Sequence, residues 1–307
     1  MELRVRVPAS TSNLGPGFDC LGLALDLHLT VDVQVGGDGL EIETAGAHAA
    51  GIATNAGNLV YATLERVLRR AGKPIPPLVL RVHNDIPLER GLGSSGAAIL
   101  AGVLAGHLLA SESAPDPQVV LRDATEIEGH PDNVAPALLG GFVASVVEGE
   151  RVHAVRLPTP ADLVLLLVIP DRTVATSIAR ARLPGSILFR DATFDLAHLA
   201  LLVGALCGGD TTLLRIAMQD RLHEPYRLDL VPGLATALAA LRAEPAVFGA
   251  ALSGSGPTLL ACVRDNDRTP AVAAIEALQA QGVASTARIA RPSLNGATWE
   301  RLIRATE

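Results

Sequence analysis

The chain has 307 residues, 25 Lys and Arg against 32 Asp and Glu for a formal charge of −7, and 49% apolar residues. An acidic surface with only five Phe, two Tyr and one Trp lacks the clustered basic charge that phosphate backbones require and the rings on which bases stack, which argues against nucleic acid as a partner. With 29 Gly and 20 Pro the composition is neither disordered nor collagen-like, and a chain of this length folds as about two lobes of ~150 residues.

Cys20, Cys207 and Cys262 are odd in number, far apart and without a CxxC pair. They argue against a disulfide framework and a Cys-based zinc site, and they suit a reducing compartment. The opening MELRVRVPAS carries no apolar signal region. The longest apolar stretches, 163–170 and 96–110, are shorter than the ~18–20 residues of a membrane span. The expectation is a cytoplasmic protein that does not enter a membrane. Lys73 is the only lysine and sits in a Pro-rich turn, so any site that needs a lysine has one candidate.

Residues 3–7 alternate apolar side chains with Arg and predict an opening strand; 8–19 read as turn-rich, and alternation resumes over 21–34 and 40–43. The stripe Leu59, Val60, Ala62, Leu64, Val67, Leu68 predicts a helix over 58–71, stopped by Gly72 and Pro74. A short strand at 78–82 leads into a Gly/Ser loop. The helix that follows, 96–110, is apolar on every face and belongs deep in the core. Another helix is predicted over 117–128. After Gly149 come a buried strand at 163–169 ended by Pro170, and helices over 194–206 and 211–221 with Gly208-Gly209-Asp210 as C-cap and N-cap between them. A helix at 233–242, strands at 246–252 and 258–263 around a second Gly/Ser loop, a helix at 270–281 and a strand at 284–290 complete the series. No repeat is present and the order lacks regular βαβ alternation, which gives an α+β class with two lobes, 1–155 and 156–307.

Four stretches carry chemistry. Residues 86–97, IPLERGLGSSGA, run from a strand into a long helix. The glycines there let backbone approach an anion, and the free N–H groups of the helix start point toward it. The absence of GK[ST] rules out a Walker A loop, and a Gly/Ser turn alone is as often an ordinary capped helix start. Residues 252–258, LSGSGPT, have the same character but fit a hairpin turn equally well. Residues 8–19, PASTSNLGPGFD, gather polar side chains behind a strand. Residues 126–133, EIEGHPDN, crowd five polar groups at a helix end, where an Asx turn is the plainer explanation. Together these separated loops fit one cleft for a nucleotide and a small substrate.

The set resembles the GHMP kinases, most closely their homoserine kinase branch: NLGPGFD at 13–19, PxxxGLGSS at 87–95, GHPDNVAP at 129–136 and SGSGPT at 253–258, in the family's order across nearly the whole chain. Residues 8–22 contain no basic residue and no GEH-type segment, unlike the mevalonate and galactose branches. The resemblance implies a two-lobed fold, with an N-terminal lobe like the second domain of ribosomal protein S5 and a ferredoxin-like C-terminal lobe. It also implies ATP-dependent phosphorylation of the L-homoserine hydroxyl in threonine biosynthesis, with Mg2+ and commonly as a homodimer. A kinase of shikimate of the archaeal type and a catalytically inactive relative are the alternatives.

By the same resemblance, Pro87, Leu88, Glu89, Arg90, Gly91, Leu92, Gly93, Ser94, Ser95, Gly96 and Ala97 form the ATP-phosphate loop, and Ser95 and Glu128 hold the metal. A hard ion such as Mg2+ takes one or two protein oxygens and keeps waters. A zwitterion needs an anion for its ammonium and cations for its carboxylate. Asn13 and Asp19 match substrate-contacting positions, with Asp19 as the ammonium partner, and Arg180 and Arg227 match the carboxylate clamp, with Thr176 and Gly254 alongside. Arginine's planar fork suits a carboxylate better than lysine does. His130 and Asn133 match positions beside the reacting hydroxyl, and Asp132 stands where other members keep a catalytic aspartate. A loose phosphoryl-transfer transition state allows late proton loss, so positioning by His130 and Asn133 without an obligatory base is the expectation.

Overall fold

Two long strands open the chain, β1 (Glu2–Asn13) and β2 (Gly17–Val35), antiparallel over almost their full length. The computed structural model, which describes residues 2–160 and 162–302, builds its first sheet around them. β3 (Leu40–Ala45) and β4 (Leu78–Asn84) extend that sheet, with β4 antiparallel to β2 and β3 parallel to β4. The helix α1 (Leu59–Arg70) lies between β3 and β4, and α2 (Ser94–Ala110), α3 (Pro117–Glu128) and α4 (Pro131–Leu139) follow β4. The hairpin β5 (Phe142–Glu148) and β6 (Arg151–Leu157) returns to β2 through β5.

β7 (Val164–Pro170) begins the second sheet. After it come α5 (Thr176–Ala181), α6 (Phe189–Gly208), α7 (Leu214–Ala217), α8 (Glu224–Arg227) and α9 (Leu234–Ala243), then β8 (Val247–Leu252), β9 (Leu259–Val263), α10 (Val272–Gln279) and β10 (Ser285–Ala290). The strands lie in the order β10-β7-β9-β8, all antiparallel. That is the lobe's fourth, first, third and second strand in turn, the arrangement of a ferredoxin-like sheet. β11 (Thr298–Leu302) crosses back and pairs with β1.

The core follows from which surfaces are apolar. β7 is buried along its whole length: Leu165 and Leu167 join the core shared with the first lobe, while Val164, Leu166 and Val168 pack under α9 and α10. A strand covered on both faces has no polar side to show, which accounts for its unbroken apolar run. The helix α2 is buried as its composition requires. A Cβ at Gly102 would lie 2.5 Å from the Val60 carbonyl oxygen and one at Gly106 would lie 2.7 Å from Val67 Cβ, so these glycines let α1 pack directly against α2. Asn58 caps α1 by accepting from the Val60 and Tyr61 amides.

Several elements depart from the sequence expectation. The turn-rich reading of 8–19 is replaced by the ends of β1 and β2, joined only by residues 14–16; Ser10, Thr11, Ser12 and Asn13 are polar yet buried because they are partnered across the molecule. GHPDNVAP forms α4, started by Pro131 at its first position. The β5–β6 hairpin is hidden in the sequence by solvent-facing Val146, Val147 and Val155, which break the alternation. The expected helix over 211–221 is a short turn and the four-residue α7. β6 runs to Leu157, past the expected division at 155, and β11 belongs to the first sheet. The helix α6 begins at Phe189, reaches 20 residues, and is the one helix among the described residues long and apolar enough to cross a membrane.

Buried in the packing of α6 is a carboxyl pair. Asp195, 2% exposed, accepts from the Arg221 amide at 3.0 Å. Asp220 accepts from the amides of Leu222, His223 and Glu224 at 3.0, 2.9 and 2.7 Å. Burial, then the hydrogen bond and charge of Asp220, pushes the Asp195 carboxyl up to about 7. A carboxyl raised in the folded state stabilises at low pH, and that contribution is lost as pH rises from its unfolded value near 4 through about 7. Asp195→Asn retains an acceptor for Arg221 and cannot ionise. Melting curves at pH 5 and pH 8 should show the wild type losing at least about 1 kcal/mol relative to the variant, a shift of about 2–4 °C; parallel pH profiles would refute the pair.

Candidate active site

The Gly/Ser loop after β4 turns on left-handed residues, Glu89 at φ 52°, Gly91 at φ 73° and Gly93 at φ 69°. Its glycines are required by contact as well as by conformation: a Cβ on Gly91 would stand 2.1 Å from the Ser253 carbonyl oxygen, and one on Gly93 would stand 2.1 Å from Ser10 Oγ. The loop is therefore gripped from two sides. Ser253 Oγ donates to the Gly91 carbonyl at 2.6 Å, and the Ser10 amide donates to the Leu92 carbonyl at 3.2 Å. Thr11 and Ser253 share a hydrogen bond at 2.8 Å, the Gly254 amide donates to the Ser12 carbonyl at 3.1 Å, and Asn13 Nδ2 donates to the Gly254 carbonyl at 2.9 Å. Three segments far apart in sequence thus form one seam at the start of α2, where Gly93, Ser94 and Ser95 line the cleft and the first helical N–H groups have no intrahelical acceptor.

Ser95 Oγ donates to Glu128 Oε2 at 3.0 Å. Glu128 ends α3 and makes no salt bridge among the described residues. Burial raises its carboxyl above the usual range, against the opposing charge of His130 and the Ser95 hydrogen bond. His130 Nδ1 lies 2.7 Å from Asp132 Oδ1, and Asn133 Nδ2 donates to the same oxygen at 3.2 Å. Burial is the largest influence on His130 and disfavours its protonated ring, but the hydrogen bond and charge of Asp132 outweigh it and raise the ring overall. Asn133 also accepts from Ser10 Oγ at 3.0 Å and donates to Ser12 Oγ at 3.2 Å.

On the opposite wall Arg180 of α5 holds Asp19 by two hydrogen bonds, 2.9 and 2.6 Å. Arg227 of α8 is 2% exposed. Its Nη1 donates to the Gly254 carbonyl at 3.2 Å and to His223 Nδ1 at 3.3 Å, while its Nε is buried without a partner among the described residues. Burial and then the nearby Arg180 charge lower the Arg227 guanidinium to about 10. The Phe18 ring lies between the two arginines, 5.6 Å from Arg180 and 5.2 Å from Arg227.

Residues 58–141 match the family model of the GHMP kinases N-terminal domain and residues 202–284 that of the GHMP kinases C-terminal. The chain is 42% identical over 293 residues to a homoserine kinase of Moorella thermoacetica, an alignment covering 95% of this chain and 98% of that one. It is 46% identical over 258 residues to a homoserine kinase of Solibacter usitatus, covering 83% of each. The crystal structure of homoserine kinase from Cytophaga hutchinsonii is similar with a TM-score of 0.81 at 30% identity, covering 97% of both chains. The chain belongs to the GHMP kinase family.

Of the residues that the family resemblance singles out, Asn13, Asp19, Glu89, Gly91, Gly93, Ser94, Ser95, Glu128, His130, Asp132, Asn133, Thr176, Arg180, Arg227 and Gly254 line one cleft of about 270 Å3. Leu88 and Arg90 line a neighbouring cavity of about 580 Å3 instead, which shares Ser94 and Ser95 with the cleft. Arg90 is spent on structure, donating to the Pro170 and Leu88 carbonyls and to Asp171. Pro87, Leu92, Gly96 and Ala97 are buried and line neither space. Missing from the sequence reading as site residues are Ser10, Ser12, Ser253 and His223, whose hydrogen bonds hold the wall together. Period-two spacing put Ser10 and Ser12 on one face of a strand, a signal that the loop reading of 8–19 obscured.

Gly91 and Gly149 separate conformation from contact, because Gly149 shares a positive φ of 60° but has nothing within 4 Å of an added Cβ. By denaturant unfolding, Gly149→Ala should cost about 1 kcal/mol. Gly91→Ala must displace backbone of the 253–256 loop and should cost about 3 kcal/mol or more, with weakened nucleotide binding by calorimetry. Equal costs would remove the close approach as a constraint.

Proposed function

We propose that the chain is a homoserine kinase, transferring the γ-phosphoryl group of ATP in line to the side-chain hydroxyl of L-homoserine to give O-phospho-L-homoserine in threonine biosynthesis. The observation that carries this reading is the charge pattern of the cleft wall. Asp19 and Arg180 neutralise each other beside Arg227, whose buried Nε lacks a partner. A zwitterion fits that wall by exchange: its ammonium takes Asp19 from Arg180, and its carboxylate takes the freed guanidinium and Arg227. An acceptor without an ammonium, such as shikimate, would offer Asp19 no partner in exchange for Arg180.

The neighbouring cavity supports the nucleotide side. Leu29, Ile52, Leu59, Val82, Leu88 and Ala98 make it largely apolar, suited to a base, and through Ser94 and Ser95 it opens onto the helix start where phosphates would lie. The donor set at Ser95 and Glu128 fits Mg2+: both offer hard oxygens, and the buried carboxylate has no salt-bridge partner among the described residues. Bound there, the ion would neutralise charge on the transferring phosphate oxygens. Ser94, Ser95 and the backbone of the glycine loop would orient the triphosphate, and His130 and Asn133 would position the hydroxyl. The same reading includes a homodimer and a cytoplasmic location. The α6 side chains Phe189 and Leu196 are 88% and 67% exposed, apolar surface that a second copy would cover. The three cysteines are free, as in a reducing compartment.

Coupled ADP release with Mg-ATP against L-homoserine, D-homoserine, L-threonine, shikimate and mevalonate tests the assignment. L-homoserine should turn over alone, and its methyl ester and N-acetyl derivative should each lose about 100-fold or more in kcat/KM, since the ester leaves the buried Arg227 without a carboxylate and the N-acetyl derivative leaves Asp19 without an ammonium. Turnover of shikimate or mevalonate would retain the kinase and overturn the substrate.

Asp132 holds His130 and Asn133 through Oδ1, a contact that orients those two side chains. Asp132→Asn should therefore lower kcat by less than about 100-fold, below the range of a lost general base. A larger fall with KM and the melting temperature unchanged would reinstate Asp132 as the base.

A further inference from the structure

Arg227 needs a fixed orientation that its own helix does not provide. α8 has four residues, and among the described residues the guanidinium's hydrogen bonds run through Nη1, to the Gly254 carbonyl and to His223. His223 is 0% exposed, and each ring nitrogen has a different neighbour. Nε2 is 2.9 Å from the Gly15 carbonyl, which only accepts, and Nδ1 is 3.3 Å from Arg227 Nη1, which only donates. Those two partners assign the tautomer: Nε2 carries the hydrogen, and Nδ1 accepts. The ring stacks on Phe18 with centroids 5.3 Å apart, and its backbone amide is tied to Asp220 at 2.9 Å. It is thereby held at its face, at both nitrogens and at its main chain.

Gly15 lies in the turn of the β1–β2 hairpin, between Asn13 and Asp19. A Cβ there would stand 2.5 Å from the Met218 carbonyl oxygen, so the turn is also pressed against the chain just after α7. We propose that His223 is a positioning residue for the substrate carboxylate, a strut that ties the Arg227 guanidinium to the hairpin turn bearing Asn13 and Asp19 and so sets the distance between the cleft's anionic and cationic ends. The inference rests on the reading that Arg227 receives the carboxylate of an amino-acid substrate. It adds that the fit to a zwitterion of one length depends on a residue that never touches the substrate.

Two substitutions divide the ring's functions. His223→Gln places an amide donor where Nε2 meets Gly15 and leaves no acceptor for Arg227. His223→Asn places an acceptor near Nδ1 and gives up the Gly15 contact. In His223→Gln the KM for L-homoserine should rise about 10-fold or more, while kcat, the KM for ATP and the melting temperature stay within about twofold or a degree or two of wild type. In His223→Asn the tie to the turn is cut at the other end: the KM for L-homoserine should again rise severalfold, and here the melting temperature falls as well. If KM in both variants simply follows the loss of melting temperature, His223 is packing and the strut is wrong.

The wild-type protein supplies a second test should either variant fail to fold. Its imidazole 15N spectrum should show His223 hydrogen-bearing at Nε2 and accepting at Nδ1; the opposite tautomer or a doubly protonated ring at neutral pH overturns the proposal. Failure of the underlying reading looks different, because the wild type itself would then not turn over L-homoserine.

Discussion

Everything in the cleft depends on how closely the backbone of the glycine loop approaches the 253–256 loop. At Gly91 that approach leaves no room for a side chain, and around it Thr11, Asn13 and Ser253 are buried polar residues whose side chains find partners across the seam. A buried polar group without a partner costs more than the bond it makes is worth. Loosening the seam at one point thus strands several groups at once. This is what holds β1, the phosphate-type loop and the second lobe in one register, and it explains why serine and threonine occupy a strand interior that would otherwise favour apolar residues.

Within that frame the cleft holds its charges under tension. Burial raises the Glu128 carboxyl and lowers the Arg227 guanidinium, so both ionised groups are less comfortable than in water. Asp19 and Arg180, by contrast, satisfy each other. On the proposed reading a dication at Glu128 and a carboxylate at Arg227 supply the missing countercharges, and the ammonium displaces one internal ion pair for two with the ligand. Binding then gains from desolvation already suffered during folding, which is preorganisation in the electrostatic sense. Phe18 supports this by presenting its ring to both arginines.

Legibility in the sequence followed the strength of the physical signal. α2 was readable because a helix apolar on all faces has only one place to go, and β7 because seven consecutive apolar residues cannot face water. α1, α3 and the second sheet's strands carried ordinary periodicity and caps. The segment 8–13 misled because Ser, Thr and Asn are turn residues by local preference, and only partners from residue 133 and residues 253–254 make them acceptable in a strand. The β5–β6 hairpin failed for the opposite reason, its exposed valines breaking the alternation that marks a half-buried strand. At the site, glycines, Ser95, Glu128 and the HPDN segment were visible through their motifs. His223 was invisible, since a lone histidine three residues before a tyrosine gives no clue that one nitrogen will meet a turn more than two hundred residues earlier.

By itself the sequence determined the class of the fold, a glycine-rich turn leading into a helix start, the family, and the inventory of charged groups available for a substrate. Those properties are local: they rest on periodicity, on glycines at set spacings and on residue types that keep their chemistry in any context. The tertiary structure alone decided which of those groups face one another, that Asp19 pairs with Arg180, that Asn133 meets Ser10 and Ser12, and that Arg90 braces a loop instead of facing the cleft. Hydrogen bonds and ion pairs act over about 3 Å, and no spacing along a chain specifies a distance of that size between residues separated by a hundred others.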